Sequence, residues 1–299
     1  MNKPDLKAYL AWIAICIIWG TTYLAIRIGV TDLPPMLFAG YRWIPAGIIM
    51  IIIQKSMGNK LPALSDIKHI AVVGIALLGI ANGLVVVAEQ WIPSGLAALL
   101  ITTLPFWMVG FESFLKKGPK LNKYILSGLV LGLAGVFAIF GGDIKSWLNT
   151  DYLWGTLALM GAVISWSLGS IYSKYKKISA HPMMGASFQM VIAGILQLLL
   201  AFILGEQKDF HLTQNGLFAI IYLIIFGSIL GYASYMYAIA HLPLSLVSTY
   251  AYINPVIALV LGWYVLGEEL SINILFSAIL IFSGIILVRK GNKSNMLTR

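Results

Sequence analysis

The chain has 299 residues, of which 60% are hydrophobic and 10% charged, whereas soluble domains run near 45–50% apolar and about 25% charged. Its mean hydropathy of +0.89 excludes the water-soluble enzyme classes, because too little polar surface is available to cover so large an apolar content. The net charge of +9, from 20 Lys and Arg against 11 Asp and Glu, suggests either a nucleic-acid partner or a membrane topology signal, and the positions of the lysines decide between them.

Apolar runs of about 20 residues, the length that crosses a bilayer, are predicted at 9–29, 36–54, 68–89, 94–114, 122–141, 152–173, 183–204, 215–239, 244–266 and 272–289. The expected fold is therefore an all-α polytopic membrane protein of ten transmembrane helices. Span 1 follows a short basic segment and runs past Trp19-Gly20 without a small-residue cleavage motif, so it reads as an uncleaved first helix. Its lone Cys16 reads as a small buried side chain. Trp19 falls near mid-depth, where a tryptophan is unusual because the ring prefers the headgroup level. It either lines a cavity or packs between helices, and Thr22 and Tyr23 share those two readings.

Span 2 carries Arg42 about 9 Å inside its outer end, at roughly 1.5 Å per residue from Met36. A charge at that depth must snorkel, pair, for instance with Glu89, or face a wet cavity. Span 3 holds Asn82 two turns before Glu89, on nearly the same face. Glu89 is either a headgroup-level acid or a cation or proton site. Span 4 has Thr102 and Thr103 before Pro105, and span 9 has Tyr250, Tyr252 and Asn254 before Pro255. Each proline removes a backbone donor. A carbonyl one turn earlier then needs another partner in lipid, so the two breaks mark a solute site or a plain kink. Trp107, Tyr232 and Tyr235 line the cavity or pack. Glu112 and Lys116, four apart, form a surface ion pair with no assigned function. Glu268 and Glu269 read as a solvated helix end. None of the four histidines has metal-ligand spacing with another His, Cys or acid, and neither a metal nor a cofactor is expected.

Most basic residues fall on one side of the predicted bilayer, in clusters around Lys3 and Lys7, Lys55 and Lys60, Lys116 to Lys123, Lys174 to Lys177 and the C-terminus. The positive-inside rule then puts the chain in the plasma (inner) membrane with both termini cytoplasmic, and nucleic acid drops out as a partner. The expected partners are the lipid bilayer, a small-molecule substrate and, if Glu89 acts, protons.

The two halves, 1–147 and 148–299, repeat. An offset of 147 pairs Trp19 with Trp166, Pro35 with Pro182, Gly47 with Gly194 and Arg42 with Gln189. An offset of 150 pairs Pro93 with Pro243 and Pro105 with Pro255, and an offset of 149 pairs Gly135 with Gly284. Five spans per copy invert the second copy relative to the first, an arrangement that can offer one central cavity to either side in turn. Trp166 and Gln189 thereby join the candidate lining.

Particular segments resemble the EamA-type branch of the drug/metabolite transporter superfamily: Trp19-Gly20-Thr21-Thr22-Tyr23, Tyr41-Arg42, Pro93-Ser94-Gly95-Leu96-Ala97-Ala98-Leu99-Leu100, Asn254-Pro255-Val256 and Gly262-Trp263-Tyr264-Val265-Leu266-Gly267-Glu268-Glu269. The resemblance covers nearly the whole chain. It implies ten helices around a cavity and the efflux or exchange of amino acids, related metabolites or amphipathic drugs. The first copy ends in Leu115-Lys116-Lys117-Gly118-Pro119 where the pattern has Leu-Gly-Glu, a departure that suits a cytoplasmic loop. No phosphate-cradling glycine loop followed by Lys-Ser/Thr is present, so a solute or proton gradient is the expected energy source. Uptake of a neutral solute such as a sugar, a passive channel and a membrane-embedded enzyme are the alternatives. The last would need a buried acid or nucleophile cluster that the sequence does not offer.

Overall fold

The computed structural model describes residues 6–115, 122–138, 150–242, 244–269 and 272–297. Lys3, Lys116, Lys117, Lys120, Lys145, Pro243, Leu270, Arg299 and the boundary at 147/148 lie outside the described residues. The described residues form helices joined by turns and loops, with no strand among them. Seven helices are long and apolar enough to cross a membrane, and three shorter apolar helices, Lys123–Gly132, Tyr250–Leu266 and Ile272–Val288, fall on the remaining expected spans. Large side chains such as Ile13, Ile17, Ile52, Phe202, Ile203, Phe226 and Val260 face outward. That apolar coat suits lipid, and helices leave no backbone polar group unsatisfied there.

Spans 1 (Leu6–Asp32) and 2 (Pro35–Ser56) are continuous helices. Span 3 is built in three parts: an α-helix Leu64–Gly74, a π-helix Ile75–Asn82 and an α-helix Gly83–Ala88. Span 8 has the same plan, with α-helix Gln214–Tyr222, π-helix Leu223–Tyr232 and α-helix Ala233–His241. π-Helical turns are rare and concentrate at functional sites. Here they occur at equivalent places in the two copies.

Span 4 divides into Ser94–Ile101 and Leu104–Ser113, interrupted at Thr102 and Thr103, as the sequence suggested. Pro105 stands in the first turn of the second piece, where its missing N–H costs nothing. Span 9 differs. Its interruption lies at Ser248 and Thr249, between Leu244–Val247 and Tyr250–Leu266, and Pro255 is accommodated inside the longer helix. Spans 5 (Lys123–Ala138), 6 (Thr150–Tyr175), 7 (Pro182–Leu204) and 10 (Ile272–Leu297) complete the bundle.

The two copies meet along glycines. A Cβ on Gly128 of span 5 would lie 2.5 Å from the Gly284 carbonyl oxygen of span 10, and one on Gly284 would lie 2.6 Å from the Gly128 carbonyl oxygen. Between spans 2 and 7, a Cβ on Gly47 would lie 2.8 Å from Ser187 O, and one on Gly194 would lie 2.9 Å from Ile44 N. Such close backbone approach is how membrane helices gain packing contacts without a hydrophobic driving force.

Carboxylates from one copy also close helix ends of the other. The first N–H groups of a helix lack internal partners, and Pro34 and Pro93, which precede spans 2 and 4, supply no side-chain cap. Glu206, after span 7, accepts from Met36 N and Leu37 N at 2.9 Å each. Glu268, after span 9, accepts from Ser94 N (2.8 Å), Ser94 Oγ (2.9 Å) and Gly95 N (3.2 Å). Gly267, at φ +67°, turns the chain back so that Glu268 can reach. Glu268 is therefore a cap between copies, not the solvated helix end expected from its place in the chain. At the other end of the bundle Asp66 accepts from Ser179 N (3.0 Å), Ser179 Oγ (2.6 Å) and Ala180 N (3.2 Å), just before span 7.

Candidate functional site

At mid-bundle the repeat-related tryptophans touch. The rings of Trp19 and Trp166 lie edge to face with centroids 5.4 Å apart. Tyr235 and Tyr250 complete the cluster, at 5.2 and 5.1 Å from Trp19. Both indole N–H groups are engaged. Trp19 Nε1 donates to Gly227 O at 3.1 Å, a carbonyl of the span 8 π-helix. Trp166 Nε1 donates to Tyr235 Oη at 2.9 Å, and that hydroxyl also bonds Ser170 Oγ at 2.6 Å.

Beside this cluster lies a cavity of about 70 Å³, room for a few waters. Its lining includes Trp19, Thr22, Tyr23, Arg42, Asn82, Trp166 and Tyr250 from the expected set, together with Trp43. Arg42 is 3% exposed. It donates Nε to Ser228 Oγ at 2.9 Å and sits 4.2 Å above the Trp43 ring centroid, while its Nη1 has no hydrogen-bond partner. It does not snorkel. Trp43 Nε1 donates to Asn82 Oδ1 at 3.0 Å, tying span 2 to span 3.

A second cavity, of about 270 Å³, opens near the bundle end at which spans 3 and 7 begin. His69, Lys174, Lys176, Lys177 and Gln189 are among its lining residues. Gln189, the repeat counterpart of Arg42, accepts from Tyr232 Oη at 2.7 Å. Tyr232 and Tyr235 are fully buried on span 8, one reaching toward Gln189 and the other toward Trp166. The equivalent positions 42 and 189 thus serve two different cavities.

Other candidates stand apart from the lining of the first cavity. Glu89 is 0% exposed, and neither carboxylate oxygen has a hydrogen-bond partner. Arg27 Nη1 donates to its backbone carbonyl, not to its carboxylate. Glu89 and Arg42 form no hydrogen bond, although each is within electrostatic reach of the other. Thr102 and Thr103 turn their hydroxyls back onto Leu99 O (2.6 Å) and Leu100 O (2.9 Å), satisfying carbonyls at the break in span 4. Asn254, in the amide orientation that satisfies its neighbours, donates to Cys16 O and Tyr250 O at 3.0 Å each. It ties span 9 to span 1. Trp107 packs on Phe111 and its indole N–H has no partner. Glu112 accepts from Tyr175 Oη at 2.6 Å, and its expected partner Lys116 lies outside the described residues.

Sequence reasoning missed Trp43, Gly227 and Ser228. Trp43 could have been found from its position beside Arg42. The other two are brought in by span 8, where their sequence signal is the small-residue pair Gly227-Ser228.

Comparison with known proteins places this geometry. The chain is 36% identical over 288 residues to the Escherichia coli (strain K12) inner membrane transporter YedA, covering 96% of this chain and 92% of that protein. It is 28% identical over 284 residues to the Bacillus subtilis (strain 168) transporter YoaV, covering 93% and 95% of the two chains. A Salmonella typhimurium protein named "Probable amino-acid metabolite efflux pump" is 26% identical over 308 residues, with 95% and 94% covered. A solved crystal structure superposes with a TM-score of 0.72 at 20% identity, covering 98% of this chain and 99% of that one, which establishes the shared fold. The EamA-like transporter family matches residues 6–141 and again 153–290, one match for each copy. The chain is a multi-pass membrane protein that belongs to the EamA-like transporter family.

Proposed function

We propose that the chain is a secondary transporter that carries a small organic solute by alternating access, with both termini in the cytoplasm and no catalytic step. One observation carries this reading: the repeat-related Trp19 and Trp166 meet in an aromatic layer, with a cavity beside it and a second cavity toward the opposite bundle end. An inverted repeat with its site at the midplane is the arrangement that lets one site face each compartment in turn. The 70 Å³ cavity is smaller than a metabolite needs, so the lining parts when the solute enters. Efflux of amino acids, related metabolites or amphipathic drugs is the proposed direction and class, and the name of the Salmonella relative supports its amino-acid-metabolite part.

Glu89 is the proton-coupling group in this reading. A wholly buried carboxylate without a hydrogen-bond partner is costly unless it serves a purpose. The test is solute counterflow in proteoliposomes. Labelled solute should accumulate transiently when unlabelled solute is loaded on the other side. Labelled solute that only equilibrates would identify a channel and overturn the carrier.

A further inference from the structure

The polar atoms of the first cavity narrow the solute's chemistry. They offer donors. Arg42 is almost fully buried, its Nη1 is unpartnered, and it belongs to the lining. The Asn82 Oδ1 is occupied by Trp43 Nε1, which leaves the Asn82 amide nitrogen to donate. The N–H groups of Trp19 and Trp166 are spent on Gly227 O and Tyr235 Oη, so these rings present only apolar faces and edges. Among the described residues no Asp or Glu lines the cavity. Glu89 is buried outside its lining.

The second cavity repeats the bias. Lys174, Lys176, Lys177 and His69 line it, and again no acid does among the described residues. Lys174 is held by Ile239 O (2.6 Å) and Leu242 O (2.9 Å), whereas Lys176 and Lys177 are exposed. A vestibule of one sign concentrates solutes of the opposite sign. An unpaired guanidinium N–H in a buried site gains most from an ionised acceptor, whose hydrogen bonds are about twice as strong as neutral ones.

We infer that the preferred solute is a monoanionic carboxylate with a flat apolar body, and that an α-ammonium group is selected against. The carboxylate pairs with Arg42 Nη1 and the Asn82 amide nitrogen, and the apolar body packs on Trp19 and Trp166. In an amino acid the ammonium sits next to the carboxylate, so it would be brought against the guanidinium, and Glu89, the acid within electrostatic reach of Arg42, lies outside the lining where the ammonium cannot bond it. This rests on the carrier reading above and narrows its solute classes to related metabolites that lack the ammonium, ranking amino acids below them.

A matched series tests it: 3-phenylpropionate, phenylalanine and phenethylamine, titrated into the purified full chain with binding read by intrinsic tryptophan fluorescence. 3-Phenylpropionate should bind roughly tenfold or more tighter than phenylalanine, and phenethylamine should not compete. Arg42→Gln should weaken 3-phenylpropionate binding by roughly tenfold or more, and Arg42→Lys should recover only part, because an ammonium lacks the planar fork. If Arg42→Gln does not fold, as judged by its melting transition, Asn82→Ala should show a smaller loss in the same direction. Tighter binding of phenylalanine or phenethylamine, no binding of 3-phenylpropionate, or an affinity indifferent to both substitutions would each overturn the proposal. Counterflow separates the two levels. Exchange of phenylalanine but not of 3-phenylpropionate sinks only the solute ranking, whereas binding in the expected order with no exchange of any solute sinks only the carrier reading.

Discussion

Trp19 and Trp166, 147 positions apart in the sequence, touch edge to face with ring centroids 5.4 Å apart. The contact joins the two copies at their centre, and on the Trp19 side a π-helical carbonyl holds the indole in place. Trp19→Phe keeps an aromatic ring but deletes the N–H to Gly227 O. It should cost about 1 kcal/mol of stability, whereas Trp19→Ala should cost about 3–5 kcal/mol. Denaturant unfolding in detergent measures both. Equal losses would mean that the ring contacts contribute nothing.

Glu89→Gln removes the ionisable group and keeps the shape. It should leave solute-for-solute exchange intact and erase the response of net transport to an imposed pH gradient. Transport that responds to pH as before would remove Glu89 from the mechanism.

Glu268→Ala leaves Ser94 N, Ser94 Oγ and Gly95 N without their shared acceptor. Losing an N-cap acceptor costs about 0.5–2 kcal/mol, and the melting temperature should fall accordingly. Glu269→Ala, on the exposed neighbour, should leave it unchanged. An equal fall in both variants would mean that the cap does not hold span 4.

Gly284→Ala forces a methyl against the Gly128 carbonyl at 2.6 Å, so spans 5 and 10 must part. Overpacking of this kind costs about 1–3 kcal/mol. Gly110→Ala is the control, since a Cβ there meets nothing within 4 Å, and alanine favours a helix by about 1 kcal/mol. Thermal unfolding of the pair should move in opposite directions. A neutral Gly284→Ala would mean that the helices are not held at backbone contact.

The positions of the helical spans could be read directly because apolar runs and charged breaks are local signals. The contact between Trp19 and Trp166 was foreshadowed by their shared place in the repeat, since a twofold axis through the centre brings equivalent residues together. Other relationships had no local sign. Glu268 and Ser94 are 174 residues apart, so the acid's role as a cap emerges only when span 9 is folded beside span 4. Arg42 and Glu89 have opposite charges and comparable depth, which suggested a pair, yet the guanidinium turns to Ser228 and Trp43 instead. Pro255 was expected to break span 9, but the break precedes it at Ser248 and Thr249. A proline is tolerated inside a membrane helix where neighbouring groups satisfy the backbone carbonyl it frees.

The π-helical stretches in spans 3 and 8 act as shims. A wider turn takes up an extra residue, and one residue is about 100° of rotation around a regular helix at 3.6 per turn. With an ordinary α-helix in its place, everything beyond Leu223–Tyr232 would swing around the axis by that angle. Tyr235 would then lose its bearing on Trp166. The azimuth of Tyr235 is thus set by the backbone winding just before it, and a one-residue deletion there would turn the central aromatic residues out of register.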